Sequence, residues 1–316
     1  MKNNTMTDWD VKRAFQNYTY PFFFPLIYID DYWDHYLNLF GLEETYEIFK
    51  DSFKKEFNSF AEFKTAYIDT IYAASKKMFN TKQSEVLNVL KESVNTLTPL
   101  KAKYNHVFNM PDGKYLQIDL HKACDQVIKN LGVFNTDYES TTDVIKSVTK
   151  SKLLPTLKPI RIFCYQVGFF DRINESFLNC ADILNKVYNS NDSLIQKLNK
   201  KYELTVAAGD MYMYNIGNDD LTDLVGDYEI DGISLSMSLY EIKTINILGQ
   251  ENKVKICTSS NEINYVIGYT EIGHIIPEVY PLAVSLYKGL EPTEKDLAIG
   301  YEDKIFFHLN KNDYEL

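Results

Sequence analysis

Apolar residues recur at helical spacing through the first hundred positions of the chain. Phe53, Phe57 and Phe60 are four and three positions apart, which places them on one helical face, and the pattern continues with few breakers. It stops before Pro99, because proline disfavours helical backbone in the residue that precedes it. The spacing predicts a helical N-terminal region over residues 1–105.

The next hundred residues change from strand-like to helical patterning and back. The run Tyr115–Leu120 follows the turn signal Pro-Asp-Gly and predicts a strand. Helical spacing covers most of residues 123–201, with a predicted break at Gly168. Two strand-like runs within 202–216, joined by Gly-Asp, then predict a hairpin with an acid at its tip.

Short strand-like runs dominate residues 233–309, with one short helix predicted from about Pro281 to Lys288. Helices and strands are thus segregated along the chain and do not alternate as βαβ units. We therefore expect an α+β fold, with the N-terminal region followed by a domain of residues 106–316. That domain is expected to hold an antiparallel sheet with helices on one face.

The composition is that of a folded protein. Of the 316 residues, 45% are apolar and 24% are charged, which excludes the disordered and low-complexity classes. No apolar run reaches the roughly 20 residues of a membrane span, and the first residues lack the pattern of a secretory signal. The four cysteines form no C-x-x-C pair, so we expect reduced thiols and a cytoplasmic location.

The charge balance narrows the possible partners. A net charge of −11 opposes long-range attraction to nucleic-acid phosphates or anionic membranes, so any nucleic-acid groove must be local, and a protein partner is compatible. The cations are almost all Lys, with Arg only at positions 13, 161 and 172. Together with many Asn, Ile and Tyr, this composition is typical of AT-rich coding, and we expect a phage or similar genome.

Two acids stand where strands break. Asp119 lies near the end of the first strand, and Asp210 lies at the tip of the hairpin. If these strands are neighbours in one sheet, the two carboxylates converge on one edge, where they suit Mg²⁺ or Mn²⁺ together with substrate phosphate oxygens. Taken alone, each Asp is also a common turn residue. The pair Asp219 and Asp220 is a rival, although it follows Gly-Asn and has the composition of a polar loop.

The order of these elements resembles the palm domain of single-chain polymerases of the family A or reverse-transcriptase kind. The segment Tyr115–Ala123 resembles the first palm motif, and Val206–Tyr212 resembles the hairpin that presents the second metal-binding Asp. Between them, Lys158–Tyr165 is similar to the cationic helix that binds the incoming triphosphate. The resemblance implies a palm-type nucleotidyltransferase that uses two-metal phosphoryl transfer, with a nucleoside triphosphate and nucleic acid as substrates.

The resemblance also assigns roles by position. Asp119 and Asp210 become the metal ligands and catalytic residues, and Lys243 becomes a candidate for protonating the leaving pyrophosphate. The candidates for binding the triphosphate are Lys158, Arg161 and Tyr165 on one helical face, Arg172 as an extension of that face, and His121 and Lys122 just after the first strand.

A second interpretation stays open. Met211 follows Asp210 where active palm domains usually carry another acid, which favours a catalytically inactive palm-like protein or an unrelated α+β protein that binds a protein or nucleic acid. The aromatic residues Tyr212, Tyr214 and Phe22–Phe24 have two interpretations, base stacking or a hydrophobic core. Rossmann and P-loop phosphate motifs are absent from the sequence.

Overall fold

The structure is a computed structural model that describes residues 6–18, 24–80, 85, 88, 100–168, 173–260, 263–268 and 277–315. Three sequence predictions fall outside these ranges. They are the end of the helical pattern before Pro99, the aromatic pair Phe22 and Phe23, and the phosphate-binding role of Arg172.

The described residues form helices first and a sheet afterwards. The α-helices are α1 (Asp8–Tyr18), α2 (Asp30–Phe40), α3 (Glu43–Glu56), α4 (Phe60–Met78), α5 (Ala123–Asn130), α6 (Thr141–Val148), α7 (Lys158–Gly168), α8 (Ile173–Tyr188), α9 (Ser193–Lys201), α10 (Tyr280–Tyr287) and α11 (Glu294–Leu297). The strands are β1 (Gly113–Leu120), β2 (Leu204–Ala208), β3 (Met211–Asn215), β4 (Gly226–Ile230), β5 (Ile233–Ile247), β6 (Gln250–Cys257), β7 (Ile263–Gly268), β8 (Ala298–Tyr301), β9 (Lys304–His308) and β10 (Tyr314–Glu315). Short 3₁₀ turns occupy Val107–Asn109, Leu154–Thr156, Thr222–Leu224 and Pro277–Val279.

Aromatic side chains build the N-terminal core, as the helical spacing predicts. Phe15 of α1 packs edge-on against Trp33 and Tyr46, with ring centroids 6.1 and 5.2 Å apart. Phe63 of α4 packs against Phe53, and both are fully buried. Every helix in the described ranges is too short or too polar to cross a bilayer.

The main sheet is antiparallel and has the strand order β2-β3-β1-β5-β6-β7, with β4 and β10 also pairing with β5. Because β3 lies between β1 and β2 and is antiparallel to both, these strands and the helices between them form a split βαβ unit. One face of the sheet, including Leu116, Ile118 and Tyr212, belongs to the helix-packed core. The predicted α+β class and its antiparallel sheet are therefore confirmed.

The opposite face of the sheet carries a separate, smaller core. Tyr115, Met213 and Tyr240 are buried there, and the segment before β1 covers them through Tyr104 and Met110. This face also carries Gln117 and Asp119, since alternate residues of a strand point to the same side.

Strand lengths differ from the sequence prediction in the last third of the chain. The sequence predicts separate strands over 233–239 and 242–248, whereas β5 runs without a break from Ile233 to Ile247. Polar and apolar side chains alternate along β5. The polar residues do not end the strand, because its backbone pairs with β1 on one side and β6 on the other. The short strands β4, β8 and β10 were not predicted from the sequence.

Helix α4 packs against α6 and α7, which lie beyond the predicted boundary at residue 105. One buried apolar cluster accordingly includes Phe15 and Phe63 together with Ile118 and Ile145. The C-terminal part also contacts the N-terminal helices, since α10 packs on α2. The division into 1–105 and 106–316 stays a prediction, and the hydrophobic core does not break at that point.

Candidate metal and nucleotide site

The end of β1 and the tip of the β2–β3 hairpin are bonded to each other. Asp119 lies opposite Met211 in the β1–β3 register, and Asp210 occupies the turn just before Met211. The backbone N–H of Leu120 donates to the carbonyl oxygen of Asp210 at 2.9 Å. The two acids predicted from the sequence are thus brought together at one edge of the sheet.

Turn chemistry explains why the hairpin presents an acid at this point. Gly209 and Asp210 form a two-residue connection, and Gly209 has a φ of +60°. A glycine with positive φ at the first position is the signature of a type II′ turn, whose twist matches that of the flanking strands. The second position then carries Asp210 at the rim of the sheet, half-buried.

Asp119 is held in an environment that disfavours its charge. Burial, and next the neighbouring charge of Asp210, raise the pKa of Asp119 to about 7. A hydrogen bond from the Gln117 amide to Asp119 Oδ2, 3.1 Å long, and the charges of Lys255 and Lys158 act in the opposite direction. A carboxyl group with a raised pKa beside a second carboxyl group is a frequent feature of functional sites.

Lys255 of β6 is a buried cation that interacts electrostatically with both acids, and the sequence pattern did not indicate it. Its side chain is only 2% exposed, and its Nζ donates to Gln117 Oε1 at 2.5 Å and lies 4.3 Å from the centroid of the Tyr240 ring. Burial lowers the pKa of Lys255 to about 8, although the charge of Asp119 opposes this shift. Lys255 is thus a buried cation whose pKa is affected by the charges of both carboxylates.

Lys158 and Arg161 lie on the first turn of α7. Lys158 is exposed, and its charge is near enough to lower the pKa of Asp119. Arg161 lies three residues on and is half-exposed, and its guanidinium has no hydrogen bond or ion pair among the described residues. Both cations therefore have side chains available to a bound anion.

Tyr165, the third residue predicted on this helical face, has a different environment. Its hydroxyl donates to the buried carboxylate of Asp125 and also contacts the hydroxyl of Thr141. Thr141 Oγ1 donates to the same carboxylate at 2.5 Å. This network joins α5, α6 and α7, so the Tyr165 hydroxyl is engaged inside the protein and fixes the helix that carries Lys158.

The two predicted phosphate contacts after β1 are exposed. His121 Nδ1 lies 3.8 Å from Asp227 Oδ1 of β4, and its backbone N–H donates to Ser234. Lys122 precedes α5 with a φ of +51° and has an exposed side chain. His121 is thus directed towards β4, while Lys122 stays available to solvent or ligand.

Lys243 is not brought to the carboxylates, which corrects the position expected for it. Asp119 lies opposite Ser236 on β5, and Lys243 is seven residues further along, roughly 23 Å away at strand spacing. Because seven is odd, Lys243 lies on the opposite, helix-packed face of the sheet. There its Nζ lies 4.8 Å from the centroid of the Tyr287 ring of α10.

The aromatic residues and the rival acid pair are engaged in contacts that hold the fold together. Tyr212, Tyr214 and Phe24 are buried, which fits the core interpretation and not base stacking. Asp219 accepts hydrogen bonds from Lys201 and Tyr202 at the end of α9, and Asp220 accepts from Thr222 in its own loop, so each rival acid already has hydrogen-bond donors. These two acids border a separate cavity of about 510 Å³ at the other end of β1, beside Lys114.

The donor set at the hairpin tip fits a hard divalent cation that is shared with a substrate. Asp119 and Asp210 supply carboxylate oxygens, and among the described residues no group of three or more His, Cys, Asp or Glu side chains is arranged around a metal position. Mg²⁺ binds commonly through one or two protein carboxylates plus phosphate oxygens and water. The residues present therefore fit a cation that arrives with a phosphate ligand.

Gln117 and Lys255 were not predicted as site residues, and for Lys255 the reason lies in the pattern of its strand. In the sequence, Lys253 and Lys255 alternate with apolar residues, a pattern typical of the solvent-facing side of a strand. In the structure, this side of β6 is covered, and both lysines are at least 95% buried. The signal that remains in the sequence is Gln117, a polar residue two positions before Asp119 on the same face of its strand.

No protein-family model, curated protein or solved structure matches this chain.

Proposed function

We propose that the protein is a nucleotidyltransferase of the palm type that depends on Mg²⁺ or Mn²⁺. The observation that carries this proposal is the meeting of Asp119 and Asp210 at the end of β1 and the tip of the β2–β3 hairpin, where β1 is bonded to the turn. The split βαβ order of the strands supports it, because this order brings the strand end and the hairpin tip to one edge.

The proposed substrates are a nucleoside triphosphate and a nucleic-acid acceptor. The acceptor hydroxyl gives up its proton to solvent and attacks the α-phosphorus. A new P–O bond forms as the bond between the α-phosphorus and the pyrophosphate oxygen breaks in line with it, and pyrophosphate leaves. Asp119 and Asp210 would hold the cation, which supplies charge neutralisation at the transferred phosphoryl group. The proposal places the protein in the cytoplasm, encoded by a phage or a similar AT-rich genome.

Cations of α7 are proposed to bind the triphosphate. Lys158 acts electrostatically on Asp119, and Arg161 follows about one helical turn later with a guanidinium that has no partner in the described part of the chain. The hydrogen bond from Tyr165 to Asp125 fixes α7 to the neighbouring helices, so Lys158 and Arg161 are held in position relative to Asp119 and Asp210. Positioning and charge neutralisation would then supply most of the rate enhancement.

A second candidate is a palm-like protein that binds a partner without catalysis. The observation that favours it is Met211, which faces Asp119 across the β1–β3 pair at the position next to Asp210. The hairpin therefore supplies one carboxylate where two would bind metal more tightly. Under this hypothesis the net charge of −11 favours a protein partner over nucleic acid.

The experiment that tests the proposal measures incorporation of labelled nucleoside triphosphates with Mg²⁺ or Mn²⁺, with and without primed templates. We expect incorporation by the wild type and a loss of at least about 100-fold in Asp119→Asn and Asp210→Asn, since each variant removes a charge at the transition state. Asp303→Asn is the matched control, because it makes the same charge change in another hairpin turn. Wild-type protein that neither incorporates nucleotides nor binds them with metal would support the binding protein instead.

A further inference from the structure

Gln117 stands between the buried lysine and the acid pair. It is 6% exposed, and among the described residues each end of its amide contacts one side chain. The oxygen Oε1 accepts from Lys255 Nζ at 2.5 Å, and the nitrogen Nε2 donates to Asp119 Oδ2 at 3.1 Å. The three side chains come from two strands, since Gln117 and Asp119 lie on β1 and Lys255 lies on β6.

The chemistry of these groups fixes the direction of the amide. A lysine ammonium only donates hydrogen bonds, so the amide must turn its oxygen towards Lys255. Its NH₂ group then faces Asp119 and donates to one carboxylate oxygen, Oδ2. A flipped amide would place an NH₂ group against the ammonium and a carbonyl oxygen against the carboxylate, and burial makes both contacts costly.

We propose that Lys255 is a positioning residue that acts on Asp119 through Gln117, so that Asp119 presents its other carboxylate oxygen, Oδ1, to a divalent cation. This inference rests on the proposed function, because it assigns the way in which that same site is prepared for its cation. Outer partners of metal-binding carboxylates have this role in general, and their loss typically weakens metal binding 10- to 100-fold.

The burial of Lys255 and Gln117 supports an anchored arrangement. The ammonium is held from a second side by the Tyr240 ring, 4.3 Å from its centroid. Gln117 lies between Met213 of β3 and Ser238 of β5 in the sheet register, so its position is set by both neighbouring strands. The amide is therefore anchored by the sheet and oriented by the lysine.

We call the hydrogen-bonded chain from Lys255 through Gln117 to Asp119 the relay. The affinity of the protein for Mn²⁺, measured by electron paramagnetic resonance of the free ion, tests it. We expect Lys255→Met and Gln117→Leu each to weaken Mn²⁺ binding about 10-fold or more. The double variant should be no weaker than the weaker single variant, because both substitutions break the same chain of hydrogen bonds. Thermal unfolding of each variant, monitored by circular dichroism, confirms that it is folded.

The sign of the Lys255 effect separates the relay from a plain charge effect. Removing a cation beside the carboxylates strengthens Mn²⁺ binding if Lys255 acts only by repulsion, and this result would overturn the proposal. Additive losses in the double variant would overturn it too. Lys253→Met is the matched control, since Lys253 is a buried lysine of the same strand face whose Nζ donates to the Met110 carbonyl instead, and we expect unchanged affinity.

A second measurement judges the relay without any metal. In ¹⁵N-labelled protein, the side-chain NH₂ signal of Gln117 is identified by its absence in Gln117→Leu. We expect its protons to exchange slowly in the wild type and at least 10-fold faster in Lys255→Met, where the amide is free to turn. Wild type that binds no Mn²⁺ contradicts the proposed function, whereas an unchanged Gln117 signal in Lys255→Met contradicts the relay.

Discussion

The charges of Asp119 and Asp210 are disfavoured by some neighbouring groups and favoured by others at one edge of the sheet. Two carboxylates close together disfavour each other's charge, and burial adds to this for Asp119, whose pKa is raised to about 7. Lys255, Lys158 and the Gln117 amide act in the opposite direction. A divalent cation bound between the two acids would offset their repulsion, which links these electrostatics to the proposed function.

This balance predicts how metal affinity changes with pH. A proton and a metal ion compete for Asp119 below its pKa of about 7, so the apparent Mn²⁺ dissociation constant should rise as pH falls through that value, approaching tenfold per pH unit. Asp119 is mostly ionised from about one unit above its pKa, near pH 8, and we expect a plateau from there. Titrations with Mn²⁺ from pH 5.5 to 8.5 check this. Affinity that stays constant across the range would show that Asp119 is not a ligand.

Helix α7 owes its position to a buried polar contact as well as to apolar packing. The Asp125 carboxylate is 6% exposed and accepts from Thr141 and Tyr165, so three helices share one buried acid. Buried acids are stable only when hydrogen-bonded, and the loss of a donor costs more than an exposed hydrogen bond contributes.

Removing the Tyr165 hydroxyl should therefore destabilise the protein. We expect Tyr165→Phe to lower the free energy of unfolding in urea by about 1–3 kcal/mol, because Asp125 loses one of its donors. Tyr138→Phe is the matched control, since its hydroxyl only accepts a 3.4 Å bond from Ser147 in an exposed position, and we expect a change below about 0.5 kcal/mol. Equal effects in the two variants would count against a role for the network.

Sequence information sufficed where local chemistry decides the structure. The turn at Gly209 and the end of the first strand are local features, so the places of Asp210 and Asp119 followed from the sequence. Lys255 was missed because its burial depends on which strands pair and on what covers the sheet. Lys243 was placed wrongly relative to the acids because the face of a strand residue depends on register, and one position reverses it.

The two ends of the described chain meet in the whole molecule. The backbone N–H of Glu302, in the β8–β9 turn, donates to the Pro25 carbonyl at 2.7 Å, and the N–H of Tyr28 donates back to the Glu302 carbonyl at 3.2 Å. His35 of α2 also bonds to the buried Asp296 at 2.7 Å. Burial alone would raise the pKa of Asp296, but hydrogen bonds from His35 and Thr293 outweigh it and hold the pKa below its usual value.

A substitution at Gly300 tests the contact between the β8–β9 hairpin and the N-terminal segment, because there is no room for a side chain at this position. A Cβ at position 300 would lie 2.3 Å from the Lys304 carbonyl oxygen and 2.7 Å from Leu26 Cδ2. We expect Gly300→Ala to lower the free energy of unfolding by about 1–3 kcal/mol through overpacking. Asp303→Ala, in the exposed turn of the same hairpin, should change it by less than about 0.5 kcal/mol. A Gly300→Ala variant as stable as wild type would refute tight packing between the hairpin and the N-terminal segment.

The shared site of Asp119 and Asp210 is tested most directly by anomalous diffraction from crystals grown with Mn²⁺ and a non-hydrolysable nucleoside triphosphate. We predict an anomalous peak with a carboxylate oxygen of each acid at a coordination distance of about 2.1 Å and a phosphate oxygen completing the shell. The triphosphate should lie towards Lys158 and Arg161. Crystals that were grown with both ligands but show no metal between the two carboxylates would contradict the proposed function.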